Sequence, residues 1–117
     1  MARLSTHVLD TSQGRPAAGI AVNLFRIDGA AREYCASAVT NRDGRTDQPL
    51  LTGERIPTGV YELVFAAGAY LRQQGMTLPE PAFLDDIVIR FGIADETGAY
   101  HVPLLLSPYG YSTYRGS

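Results

Sequence analysis

Short runs in which apolar and polar residues alternate recur along the chain, with turn-forming residues between them. In the first run, Arg3 to Leu9, Leu4, Thr6 and Val8 share one face while Ser5 and His7 share the other. Successive side chains of a β-strand point to opposite sides of its sheet, so this run predicts a strand with one buried face. Several such strands separated by turns are typical of a β-sandwich.

Further strands are predicted where β-branched and aromatic residues cluster between turn formers. These runs are Ile20–Ile27, Glu33–Thr40, Val60–Phe65, Ile87–Ile93, Tyr100–Leu106 and Tyr109–Tyr114. Loops are predicted at Asp10–Pro16 and Asn41–Arg45, where glycine, proline, aspartate and asparagine concentrate.

One segment has the composition of a helix. Ala66–Gln74 is rich in helix formers, although Gly68 weakens it, and Gly75 stands where a C-cap glycine ends a helix. The length of 117 residues corresponds to one domain that can bury a core without disulfide or metal staples. The sequence therefore predicts a single all-β domain over residues 1–117, with seven or eight strands and one short helix.

Composition excludes several classes of function. The hydrophobic fraction of 45% and the charged fraction of 19% are those of a globular protein rather than a disordered one. The net charge is −2 and the ten basic residues are spread from Arg3 to Arg115, which argues against a nucleic-acid partner. All ten are arginine, so a lysine Schiff base and a lysine general base are excluded.

Cysteine usage and apolar runs bear on location. The single cysteine, Cys35, excludes an internal disulfide, and its context favours a small strand residue over a nucleophile. The N-terminal residues contain no apolar run typical of a signal peptide. The longest apolar stretch, Leu63 to Leu71, is too short to span a bilayer. We therefore expect a soluble, cytoplasmic protein with no membrane partner.

Two histidines and one loop arginine are candidates for chemistry. His7 and His101 are the only imidazoles, the side chains best suited to general-base catalysis near neutral pH, yet each alone also suits an ordinary strand histidine. Arg45 follows Asp43 and Gly44, whose turn could aim it inward or leave it solvated. No metal-binding spacing, phosphate loop or serine-nucleophile elbow is present. These residues fit water-mediated acid–base chemistry without establishing it.

The end of the chain is a further candidate. The last predicted strand leads directly into Tyr114-Arg115-Gly116-Ser117, with no low-complexity tail. Chain ends usually fray, so this end is either a docked strand or part of a site.

Three blocks of sequence carry a resemblance to a known family. They are LSTHVLDT running on to GRPA (residues 4–17), TNRDGR (residues 40–45) and YHVPLLLSPYGYSTYRGS (residues 100–117). With the strands between them, the chain resembles the transthyretin-related enzymes, the 5-hydroxyisourate hydrolases of purine catabolism. The third block is the most specific of the three because of its length.

The resemblance implies a transthyretin-like (prealbumin-like) sandwich of two four-stranded sheets with one short helix. It implies a homotetramer, a dimer of dimers, with active sites in the clefts where the dimers meet. The reaction implied is opening of the lactam ring of 5-hydroxyisourate by water, giving 2-oxo-4-hydroxy-4-carboxy-5-ureidoimidazoline. No cofactor and no metal are implied.

The same resemblance implies the site residues. The implied catalytic residues are His7, Arg45, His101 and Ser117, and the implied substrate-binding residues are Arg45, Tyr114, Arg115 and Gly116. One histidine would deprotonate water, and which of the two does so stays open. Ser117 would orient the water or a histidine through its hydroxyl or its carboxylate. Arg115 would hold the C-terminal strand or narrow the cleft.

Two other readings compete with a hydrolase. A transthyretin-like carrier of small ligands would use the same sandwich without catalysis, but such carriers lack the histidine and arginine positions and the terminal Tyr-Arg-Gly-Ser. A purely structural sandwich would leave these residues unexplained. The chain departs from the family pattern at Tyr70-Leu71, Ala82-Phe83-Leu84 and Gly98-Ala99. These departures bear on packing and the cleft margin rather than on the reaction.

Overall fold

The computed structural model describes residues 1–117, which form nine strands and one helix. The strands are β1 (Ala2–Asp10), β2 (Arg15–Pro16), β3 (Ala21–Asp28), β4 (Ala31–Val39), β5 (Leu51–Gly53), β6 (Gly59–Ala66), β7 (Asp86–Ile93), β8 (Ala99–Ser107) and β9 (Gly110–Thr113). The helix is α1 (Ala67–Gln73). Each strand predicted from the alternation is present, and the helix lies where its composition placed it.

The strands form two sheets. The first has the order β2-β1-β8-β9, with β5 also pairing with β1, and the second has the order β4-β3-β6-β7. All pairs are antiparallel except β1 with β8, which is parallel. The second sheet has the four strands expected, whereas the first has five because of β2 and β5. These two strands are two and three residues long, too short for alternation to predict them.

A core of 22 buried residues fills the space between the sheets. On β1, Leu4 and Val8 are completely buried, as the alternation predicts. Thr6 is buried on the same face, as predicted, and its hydroxyl is satisfied by a hydrogen bond of 2.7 Å that it donates to the carbonyl oxygen of Val102. The other face of β1, which carries Ser5 and His7, therefore points away from the core.

The helix ends as its sequence predicts. Gly75 has a φ of +89°, its N–H donates to the carbonyl of Arg72, and the Met76 N–H donates to the carbonyl of Leu71. This pair of bonds is a Schellman motif, which favours glycine at the left-handed position. Because α1, with seven residues, is the single helix, the chain has no helix long and apolar enough to cross a membrane.

Gly68, which lowers the helix propensity of α1, has a packing role. Its N–H donates a 2.8 Å hydrogen bond to the carbonyl of Asp85. A Cβ atom at this position would lie 2.6 Å from the Asp85 carboxylate. The missing side chain therefore allows α1 to lie close to the segment that enters β7.

A buried carboxylate closes β1. Asp10 is completely buried and accepts hydrogen bonds from the backbone N–H and side chains of Ser12 and Gln13 and from the Tyr70 hydroxyl. Burial alone would raise its pKa, but these hydrogen bonds outweigh burial and lower it. Asp10 thus links the end of β1 to the following loop and to α1.

Candidate active site

The parallel pairing of β1 with β8 brings the two histidines together. Ser5 lies opposite His101, and His7 lies opposite Pro103, on the outer face of the first sheet. The ring centroids of His7 and His101 are 6.5 Å apart with an interplanar angle of 35°. Two imidazoles distant in sequence therefore share one patch of surface.

A structured turn places Arg45 beside this patch. The Asn41 side-chain oxygen accepts the N–H groups of Asp43 (2.9 Å) and Arg45 (3.3 Å), and the Asn41 N–H donates to the Arg45 carbonyl at 2.8 Å. Gly44 has a φ of +74°, and its carbonyl accepts the N–H of Val8 at 2.8 Å. Since a Cβ at position 44 would collide with the Val8 carbonyl, glycine allows the turn to lie against β1.

The C-terminal segment covers the other side of the site. The Gly116 N–H donates a 2.8 Å hydrogen bond to the carbonyl of His101. A Cβ atom at position 116 would lie 2.5 Å from Cδ2 of the His101 ring, so the absence of a side chain lets the backbone lie against the imidazole. Ser117 then lies at the cavity described next.

A cavity of about 160 Å³ lies at the centre of these elements. It is lined by Arg3, Ser5, Arg45, Ala99, Tyr100, His101 and Ser117. A second cavity, of about 210 Å³, adjoins it and shares Arg3, Ser5 and Arg45. The structure thus brings Arg45, His101 and Ser117 to one cavity, with His7 beside it but lining neither space.

Two lining residues, Arg3 and Ser5, were not predicted as site residues. A signal for both was available, because the alternation in β1 places them on the same face as His7. The alternation within β1 does not show that β8 pairs with β1, nor that the register of this pair sets Ser5 opposite His101.

The side chains of Tyr114 and Arg115 lie elsewhere. Both line a different, more apolar cavity of about 340 Å³ between the edge strands β7 and β9. The Arg115 guanidinium lies over the Tyr100 ring, 4.3 Å from its centroid, and donates to the Ala99 carbonyl at 3.5 Å. These two contacts join the C-terminal segment to β8. Gly116 touches the His101 ring rather than the cavity.

Burial and nearby arginines set the protonation state of the imidazoles. Burial lowers the pKa of His101, and the positive charges of Arg45, of Arg3 and of His7 when His7 is protonated lower it further. Burial and Arg45 lower the pKa of His7, although Asp43 opposes them. Both pKa values are below the ordinary 6.5, so both rings are neutral at neutral pH and able to accept a proton.

Other reactive groups lie apart from this cavity. The described residues contain no cluster of three or more histidine, cysteine, aspartate or glutamate side chains that could hold a metal ion. Cys35 is half-buried on β4 in the second sheet, and burial raises the pKa of its thiol.

The arrangement suits acid–base chemistry on a polar substrate. A neutral imidazole can deprotonate water, and a guanidinium can stabilise the negative charge that develops on a carbonyl oxygen. Fold and site together define a transthyretin-like β-sandwich with a histidine–arginine cavity on the outer face of one sheet.

Comparisons with known proteins agree with this class. The HIUase/Transthyretin family profile matches residues 4–116, and the chain belongs to that family. It is 64% identical to a 5-hydroxyisourate hydrolase of Mesorhizobium japonicum, over 98% of this chain and 92% of that protein.

Solved structures show the same fold. The 5-hydroxyisourate hydrolase of Klebsiella pneumoniae matches with a TM-score of 0.82 and 38% identity, over the full length of both chains. An (S)-allantoin synthase matches with a TM-score of 0.92 and 41% identity. That match covers 99% of this chain, which spans only 44% of the synthase chain.

Proposed function

We propose that residues 1–117 form a single domain that hydrolyses 5-hydroxyisourate to 2-oxo-4-hydroxy-4-carboxy-5-ureidoimidazoline in urate degradation. The observation that carries this proposal is the cavity where a neutral His101 meets Arg45 and Ser117. Support comes also from the Mesorhizobium hydrolase, which is 64% identical over almost the whole chain.

His101 is the general base in this proposal because it lines the cavity, whereas His7 does not. Its ring takes a proton from water while the water oxygen attacks the ring carbonyl carbon of the lactam. The carbon–nitrogen bond then breaks, and the imidazolium returns the proton to the departing nitrogen. General-base assistance of this kind is worth about 100- to 10,000-fold.

Arg45 stabilises the transition state of this step. Its planar guanidinium binds the substrate carbonyl and carries the negative charge that forms on the oxygen. His7 forms a backbone bridge with Arg45, and its ring lies beside that of His101. In this proposal His7 therefore fixes the position of Arg45 relative to His101. Ser117 orients the attacking water.

The remaining C-terminal residues act through structure. Gly116 supports the His101 ring, and Arg115, stacked on Tyr100, holds the C-terminal segment in place. Tyr114 is 59% exposed and lines the separate cavity between the two sheet edges, so in this proposal it does not contact the reacting atoms.

Enzyme activity is tested with 5-hydroxyisourate generated from urate by urate oxidase, following its ultraviolet decay with and without the protein. We expect the protein to accelerate the decay well above the spontaneous rate. Decay that is unchanged by the wild-type protein would remove the hydrolase assignment and favour a small-ligand carrier.

Variants in the same assay test the residue roles. We expect His101→Ala and Arg45→Gln each to lose about 100-fold or more in kcat. Arg42→Gln is the matched control, because Arg42 lies in the same turn, is exposed and lines neither cavity. If His101→Ala and His7→Ala both kept near-normal turnover, the acid–base mechanism would be wrong.

The active form in this proposal is a homotetramer, a dimer of dimers. Support comes from the family and from the position of the cavity on the open outer face of the first sheet, where a second copy would enclose it. Sedimentation equilibrium should give four times 12.7 kDa, about 51 kDa. A fully active monomer would contradict the proposal.

A cytoplasmic location forms part of the same proposal. Cell fractionation tests it, and recovery of the protein outside the cytoplasmic fraction would contradict it.

A further inference from the structure

A serine contacts one of the two ring nitrogens of His101, Nδ1. The Ser5 hydroxyl oxygen lies 2.8 Å from Nδ1 of His101, and the two residues face each other across the β1–β8 pair. Ser5 is half-buried and lines both adjoining cavities. No residue of the mechanism described above acts on this nitrogen.

The direction of this hydrogen bond decides what His101 can do. A neutral imidazole carries one N–H, so the nitrogen without hydrogen is the one able to accept a proton. If Ser5 donated to Nδ1, the hydrogen would sit on Nε2 and the ring could not take a proton there. If Ser5 accepts from Nδ1–H, Nε2 carries the lone pair.

The surroundings favour the second arrangement. The cavity that His101 lines is also lined by the guanidinium groups of Arg3 and Arg45. Guanidinium groups only donate hydrogen bonds, so an imidazole nitrogen that shares their cavity is better placed as an acceptor than as a third donor. The hydrogen of the neutral ring then belongs on Nδ1, where only the serine oxygen receives it.

We propose that Ser5 is a positioning residue whose hydroxyl oxygen accepts the Nδ1–H of His101 and so holds the ring in the tautomer with a free Nε2. This inference rests on the proposed function, in which that Nε2 takes the proton from the attacking water. The Gly116 backbone packs against the same ring, and together the two contacts fix its orientation. The hydroxyl hydrogen of Ser5 remains free to donate into the cavity.

The expected effect is moderate. A neutral hydrogen bond shifts an equilibrium by about 3- to 10-fold, so loss of the Ser5 hydroxyl should change the tautomer ratio and kcat by that factor. The Michaelis constant should change little, because Ser5 acts on the base rather than on substrate affinity.

The test combines nitrogen NMR with kinetics on the full-length protein. In ¹⁵N-histidine-labelled protein, which has only two histidines, the shifts of the ring nitrogens report directly which one carries hydrogen. We expect Nδ1–H for His101 in the wild type, a shift toward Nε2–H with a 3- to 10-fold loss of kcat in Ser5→Ala, and recovery of both in Ser5→Thr. The control Ser112→Ala alters an exposed serine on β9 and should change neither.

The outcomes separate this inference from the proposed function. Turnover of 5-hydroxyisourate by a wild type whose His101 carries Nε2–H would overturn the role of Ser5 and the proton transfer at Nε2, while the hydrolase assignment would stand. A wild type with Nδ1–H and no turnover would overturn the proposed function, and the positioning role with it. If Ser5→Ala changes the tautomer and leaves kcat unchanged, the positioning role is wrong. If Ser5→Ala does not fold, the wild-type spectrum and Ser5→Thr still decide the question.

Discussion

Replacing Gly116 with alanine should remove most of the activity and leave the fold nearly intact. The new methyl carbon would lie 2.5 Å from Cδ2 of His101, 3.2 Å from Cγ and 3.4 Å from Cβ. Carbon atoms in contact normally sit about 3.5–4.0 Å apart, so the ring or the C-terminal segment must move by about 1 Å. Gly116 is not among the positive-φ glycines, so alanine brings no backbone strain.

This displacement sets the expected magnitude. Moving a catalytic group by about 1 Å costs on the order of 100-fold in rate. The stability cost is limited to the single hydrogen bond between the Gly116 N–H and the His101 carbonyl, about 1 kcal/mol. We therefore expect kcat for 5-hydroxyisourate to fall about 100-fold with only a small change in the free energy of unfolding.

A second glycine supplies the control. At Gly110, on β9, the nearest atom to a new Cβ is the Ser107 hydroxyl oxygen at 3.7 Å, an ordinary contact. Gly110→Ala should therefore keep wild-type kcat in the ultraviolet assay. If Gly116→Ala stayed within about threefold of the wild type, the backbone at position 116 would not set the position of the His101 ring.

Three further predictions follow from the site and the core. Because the pKa values of His7 and His101 are lowered from 6.5, kcat should fall on acidification with a midpoint below pH 6.5. A midpoint at or above pH 6.5 would contradict the role of a neutral histidine as the base. Asp10→Ala leaves five hydrogen bonds without their acceptor, so urea unfolding should show a loss of about 3 kcal/mol. The pKa of Asp10 is lowered in the folded state, so this stabilisation is present above pH 3.8 and is lost as the pH falls further. If the wild type kept its larger free energy of unfolding over Asp10→Ala in stronger acid, this explanation would be wrong. Gly44→Ala should lower the free energy of unfolding by about 1–2 kcal/mol through left-handed backbone strain, and the clash of its Cβ with β1 should lower it further and reduce turnover. Gly14→Ala is the control: its φ is +69° and its Cβ would meet open space, so it should show the strain alone.

Local rules of the sequence determined most of the elements. Alternation in β1 predicted which side chains enter the core and which, including Ser5 and His7, face outward. Gly75 predicted the end of α1 because a left-handed residue closes a Schellman motif. The resemblance in the motif around Arg45 and in the terminal residues named candidate site residues, of which Arg45 and Ser117 line one cavity with His101. Each of these signals lies within a few residues of the position it describes.

Tertiary structure alone decided how these residues meet. The parallel register of β1 with β8 places Ser5 on the His101 ring, and the Gly44 turn brings Arg45 to the same cavity. The tertiary structure also places the Arg115 guanidinium over the Tyr100 ring, outside the cavity. The pairing of β2 and β5 with β1 likewise appears only in the folded sheet. Strand pairing depends on contacts between residues nearly a hundred positions apart, for example Ser5 with His101, and such pairs leave no periodicity in the sequence.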